Sequence, residues 1–192
     1  MTQGIRWSIG FLTLAASGTV SAHVGVHPDG VFATGLAHPF IGLDHLLAMV
    51  AVGVWAMQLG GRQLLIVPAT FVLSMVAGAL LGKYGVALPQ VESMVALSVL
   101  ALGVLVALAM RAKWYWAAPV VAVFALFHGH AHGTEMPEFS GPWLYFAGFT
   151  LATAALHALG VAGGVVLKTR PAILRAGGAA IGLTGAWLLL GA

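Results

Sequence analysis

Six nearly uninterrupted apolar runs, roughly 39–59, 64–82, 89–110, 114–132, 142–167 and 172–191, constrain this chain more than anything else in it. At 1.5 Å per helical residue each covers about 30 Å, the hydrocarbon thickness of a bilayer. Only 7% of the residues are charged and the mean hydropathy is +1.00, whereas soluble domains carry about a quarter charged residues. The expected fold class is therefore an all-α integral membrane protein, a six-transmembrane-helix bundle forming one domain over 23–192.

Residues 1–22 precede that domain with one early base, Arg6, a short apolar core, and Val20 and Ala22 at the positions before a cleavage site. They read as a cleavable signal peptide; the alternative is an uncleaved first span, for which the apolar part is short. Cleavage would leave His23 at the mature N-terminus, where an amino group and an imidazole on one residue can chelate a metal, with His27 nearby. With that terminus outside, Arg62, Arg111, Lys113, Lys168, Arg170 and Arg175 fall in inner loops and Lys83 alone falls outside. This obeys the positive-inside rule and predicts a multi-pass membrane protein with its mature N-terminus on the outer side. Asp29, Glu92, Glu135 and Glu138 then lie on the outer side.

The sequence pI of 9.7 rests on only eight Lys and Arg, which mark topology rather than nucleic-acid binding. The absence of cysteine excludes disulfides, thiolate metal sites and thiol catalysis. AGALLGK, ending at Lys83, lacks the first glycine of a phosphate loop, which argues against ATP-driven transport by this chain alone. Gly160 with Gly164 and Gly178 with Gly182 have the spacing of close helix packing.

Ionisable groups inside apolar runs are costly, so their placement is informative. The stretch HPFIGLDHLLAM, residues 38–49, carries His38, Asp44, His45 and Met49. Pro39 suits a first helical position, with His38 as cap. His38, His45 and Met49 are then predicted to share one face of one helix, with Asp44 turned about 100° from His45. Further on, FHGHAHGTEMPEF places His128 and His132 one turn apart, with Glu135 a turn beyond and His130 pointing elsewhere. Neutral imidazole suits nickel, copper, zinc and iron, although a histidine-rich surface loop would look the same. His157 stands alone about fifteen residues into the fifth run, either bridging helices or joining Asp44 inside the bundle. These groups order by depth: Glu135 and the N-terminal histidines outside, His128, His132 and His38 at the rim, Asp44 and His45 about two turns in, then Met49, then His157. Thioethers would also suit copper(I); Met75, Met94 and Met110 read as packing, and Met49 as the exception. Trp55, Trp114, Trp116 and Trp143 sit near proposed span ends, as interfacial anchors do.

At these residues the chain resembles the HupE/UreJ family of hydrogenase and urease accessory membrane proteins. The likeness is carried by HP-x-x-G-x-DH-x-x-x-M at His38, Pro39, Gly42, Asp44, His45 and Met49, and by HG-x-AHG-x-E at His128, Gly129, His132, Gly133 and Glu135. It extends over essentially the whole chain, and His130 occupies a variable position where it adds a candidate ligand. The resemblance implies a nickel permease that supplies nickel-enzyme maturation proteins, with copper or cobalt as alternative cargo and no enzymatic activity. Three readings compete with it. One is an intramembrane zinc hydrolase with Asp44 or Glu135 as base; another is a haem protein with His45 and His157 as axial ligands; the third is a metal sensor or chaperone partner without transport.

Overall fold

A computed structural model describes residues 28–136 and 141–192. Among them the chain is all helical: α1 (Pro28–Ile41), α2 (Leu43–Leu59), α3 (Gln63–Lys83), α4 (Val91–Ala107), α5 (Trp114–Thr134), α6 (Pro142–Val166) and α7 (Pro171–Gly191). The predicted signal peptide, His23, His27 and Glu138 lie outside the described residues.

α3, α6 and α7 are each long and apolar enough to cross a membrane, and α1 with α2 would make a fourth crossing as one bent pair. α4 is apolar but has only 17 residues, about 26 Å of helix. α5 has 21 residues, and the three histidines in its last two turns lower its hydropathy. Large apolar side chains such as Leu73, Leu151, Val166, Leu183, Trp187 and Leu190 point outward, as lipid rather than water would favour.

The break between α1 and α2 corrects the helix start expected at Pro39. His38 and Pro39 belong to the last turn of α1, and the chain bends by 81° at Gly42. Pro39 has no amide to donate, which a last turn tolerates less well than a first, and the helix ends two residues beyond it. Gly42 is extended, its carbonyl accepts from Leu46 to open α2, and a Cβ there would lie 2.8 Å from Asp44 Oδ1 and 3.2 Å from His45 Nδ1. Glycine thus makes room for the two polar side chains of the first turn. His38 and His45 consequently do not share a helix face; they approach from two sides of a corner.

Packing is pairwise, α3 along α5, α4 along α7, and α6 against both α1 and α2. The α3–α5 pair interlocks through glycine. Gly78 and Gly82 of α3 lie on the backbone of α5 at Leu126 and His130, while Gly129 and Gly133 of α5 lie on the carbonyls of Met75 and Ala79. No Cβ fits at these contacts. Since Gly129 and Gly133 face α3, His128 and His132, one position earlier in each turn, are turned toward other helices. Gly160 likewise seats on Val50 and Gly53 of α2, and Gly178 on the end of α4. The core between the pairs holds Met49, Val52, Phe71, Met75, Leu102, Tyr145 and Phe149, all buried.

Trp55 is a second correction. It is 1% exposed and its indole nitrogen donates to the Met110 carbonyl at 3.0 Å, so it is a core residue with its polar atom satisfied rather than an interfacial anchor. Trp114, Trp116 and Trp143 are exposed.

Candidate functional site

The corner at Gly42 and the glycine-backed face of α5 bring together four imidazoles that are up to 94 residues apart in sequence. His45 meets His128 and His132 with ring centroids 4.6 Å away in each case, and His38 meets His132 at 4.7 Å. Four of the histidines expected at successive depths, His38, His45, His128 and His132, thus form one cluster. His128 and His132 are completely buried, His45 is buried, and His38 is half-buried.

Hydrogen bonds determine which ring nitrogens are free. Asp44 Oδ1 accepts from the backbone amide of His45 at 2.6 Å and from its Nδ1–H at 2.7 Å. A neutral His45 therefore carries its proton on Nδ1 and presents a lone pair at Nε2, which is buried without a partner. Ser98 uses its one hydroxyl hydrogen on the Val95 carbonyl at 2.6 Å, so its oxygen accepts from His128 Nε2–H at 2.7 Å. The lone pair of His128 is then on Nδ1, also buried and unpaired. His132 stacks on Phe149 at 4.8 Å, and neither of its nitrogens has a partner. His38 Nε2–H donates to Glu135 Oε2 at 2.9 Å, which leaves its Nδ1 as the acceptor. Glu135 lies just past the end of α5, and that bond holds its carboxyl below the ordinary value of 4.5 against the opposing effect of partial burial.

Buried nitrogens without partners cost about 1–3 kcal/mol each, so such a concentration suits an occupant that accepts lone pairs. A transition-metal ion does this, and the carboxylate or hydroxyl behind three of the rings is the usual second layer of a histidine metal site. As they stand, however, no three His, Asp or Glu side chains among the described residues are arranged to hold one ion. The cluster offers donors without closing them into a fixed cage.

Other predicted residues fall elsewhere. His130, two positions from His128, takes the Val86 carbonyl as partner of its Nε2 at 2.8 Å and so fastens the segment after α3 to α5. It is occupied structurally, not added to the cluster. His157 is buried in α6 with both nitrogens unpaired, and its ring meets Phe71 edge-on at 5.1 Å. Phe71 also packs on His128 at 5.7 Å, so this phenyl ring links the cluster to His157. The predicted hydrogen bond from His157 to Asp44 is not formed: both His157 nitrogens are unpaired and its ring lies against Phe71. Nor is the axial pair of the haem reading, since His45 faces His128 and His132 while His157 faces Phe71. Met49 is fully buried, its sulfur accepting from the Thr153 hydroxyl at 3.3 Å, and Met75 sulfur lies 3.5 Å from the same oxygen.

Ser98, Phe71, Thr153 and Phe149 were not singled out from sequence. Ser98 and Thr153 left one usable signal: a hydroxyl inside an apolar helix has to find a partner. Nothing local in α4 or α6 indicates that the partners are His128 and the methionine sulfurs.

Comparison with known proteins gives consistent results. The family described as HupE / UreJ protein matches residues 11–188. Protein HupE of Rhizobium leguminosarum bv. viciae is 49% identical over 180 residues, covering 93% of this chain and 94% of the relative. No solved structure matches significantly.

Proposed function

This chain belongs to the HupE/UreJ family, and on that premise we propose that it is a permease that carries a transition metal, nickel, across the bacterial inner membrane for hydrogenase or urease maturation. The family's association with nickel and cobalt uptake in accessory roles supports an accessory transporter over a catalyst. In this reading the six apolar runs are six spans, residues 1–22 are removed as a signal peptide, and the histidine cluster opens to the outer side.

One observation carries the proposal: at the corner between α1 and α2, buried imidazole nitrogens lack partners while the Asp44 carboxylate and the Ser98 hydroxyl fix the tautomers of His45 and His128. Imidazole with carboxylate is a donor set that nickel accepts, and a loosely arranged set suits an ion that must leave again. The ion is captured at half-exposed His38 and exposed Glu135, exchanges water for His45, His128 and His132, and is handed past Phe71 toward His157. Asp44 keeps the His45 lone pair on Nε2 and offsets the positive charge entering a low-dielectric interior. His23, if it becomes the terminus, adds an outer chelating pair.

Met49 and Met75, converging on Thr153, favour a second cargo, copper(I), because thioethers are soft donors. Both possibilities are tested by uptake of radioactive nickel into proteoliposomes containing the mature protein, with copper, cobalt and zinc as competitors. Saturable uptake that disappears in His45→Ala and falls about 10–100-fold in Asp44→Asn supports the permease, and the strongest competitor identifies the cargo. No flux, together with tightly retained zinc, would sink the permease and favour a hydrolase.

A further inference from the structure

The end of α2 opposite the histidine cluster is a second polar site, of opposite character. A cavity of about 390 Å³ lies there among the ends of α2, α4, α6 and α7, and Arg111, Lys168 and Arg175 line it together with Met57, Pro171 and Leu174. All three cations are exposed. No aspartate or glutamate occurs anywhere in 45–91, 93–134 or 139–192, the segments that supply every lining residue. The two ion pairs formed among the described residues, His38 with Glu135 and His45 with Asp44, involve neither lysine nor arginine. Positive charge here has no counter-ion within the described protein.

Helix ends often explain such cations, because the last carbonyls of a helix carry partial negative charge. At the end of α4 and just beyond it, three carbonyls are already engaged, and only one of those bonds comes from a cavity cation. Gln58 donates to Val106 at 3.1 Å, Trp55 to Met110 at 3.0 Å, and Arg175 Nε to Ala107 at 2.8 Å. The bond from Nε anchors the Arg175 guanidinium and leaves its two terminal nitrogens without a partner among the described residues. α7 begins at Pro171 beside the cavity, so its positive end adds to the field. Met57, Pro171 and Leu174 make the same cavity partly apolar, which suits a molecule that is charged at one end and greasy beyond it.

We propose that Arg111, Lys168 and Arg175 form a seat for a phosphate anion, supplied by the headgroup of an acidic membrane lipid. Basic cavities between the ends of membrane helices have the chemistry to bind such headgroups. The inference requires that the helices span a bilayer but is independent of any metal.

Native mass spectrometry of the detergent-purified full chain, titrated with phosphatidylglycerol or phosphatidylcholine, tests it. Expected is selective retention of phosphatidylglycerol by the unaltered protein, which requires no variant. The variant Arg111→Gln/Lys168→Gln/Arg175→Gln should bind it on the order of tenfold to a hundredfold more weakly. The control Arg62→Gln/Lys113→Gln/Arg170→Gln removes equal charge outside the cavity and should retain the lipid. Equal retention of both lipids, or equal loss in both variants, would overturn the seat. Displacement by millimolar inorganic phosphate would overturn the lipid as its source, and displacement by polyglutamate would point to an acidic protein instead.

Discussion

His128 and His130 stand two residues apart on α5, the first expected to pair with His132 and the second to point elsewhere, and the structure gives them different partners. His128 faces the corner between α1 and α2, bonds Ser98 through Nε2 and leaves Nδ1 unpaired beside His45. His130 turns toward the segment after α3 and bonds the Val86 carbonyl. The separation follows from 100° per residue on a helix whose Gly129–Gly133 face is pressed against α3. Histidine content alone is therefore a poor guide to a metal site; what matters is which rings keep a lone pair and meet one another.

The largest expected effect tests that distinction directly. His45→Ala should abolish saturable metal uptake, and Asp44→Asn should weaken it about 10–100-fold by releasing the His45 tautomer. His130→Gln should leave uptake intact. Comparable losses in all three, measured in proteoliposomes at equal protein density, would erase the contrast.

Proton competition comes next in size. Imidazole must be neutral to bind metal, so uptake should fall as external pH drops below about 6.5, the reference value for histidine. Glu135 cannot cause that fall. Its carboxyl is held below 4.5, so it stays ionised through this range and its bond from His38 is lost only in stronger acid. A pH profile flat from 7.5 to 5.5 would argue against histidine ligation, and a midpoint below 4.5 would shift the role to Glu135.

A smaller effect is expected for Ser98→Ala, which strands His128 Nε2 and frees the ring to change tautomer. Metal affinity should drop about tenfold at the low end of outer-layer effects. Titration by isothermal calorimetry would show it, and an unchanged affinity would mean that packing alone orients His128. The smallest is in stability: His130→Ala removes the bond to Val86 and should cost about 1 kcal/mol. Thermal unfolding in detergent measures this; a loss of metal affinity in the same variant would place His130 back in the site.

Much of the helix plan was readable. α3, α6 and α7 begin and end within two residues of the apolar runs, because arginine, proline and glycine bound them. The corner was not. Pro39 and Gly42 both break helices, and with His38 beside Pro39 the pattern is equally that of a capped start. Only the long-range contacts of His38 with His132 and Glu135 separate the two readings. The members of the site were legible as residue types in costly surroundings, whereas their arrangement depended on the glycine interlock of α3 and α5. Trp55 shows the converse limit. Nothing near it in sequence reveals the Met110 carbonyl that lets a tryptophan at a run's end be buried.

The glycine interlock also has a mechanical consequence. A turn of α5 about its axis by one residue would replace Gly129 with His128 or His130 at the Met75 carbonyl, where not even a methyl group fits. α3 and α5 are therefore geared together, and the half of the cluster formed by His128 and His132 is held as a stator. The half formed by His38 and His45 is geared to α6 in the same way, Gly35 and Gly148 joining α1 to it and Gly53 and Gly160 joining α2, so the bend at Gly42 is clamped along both of its arms.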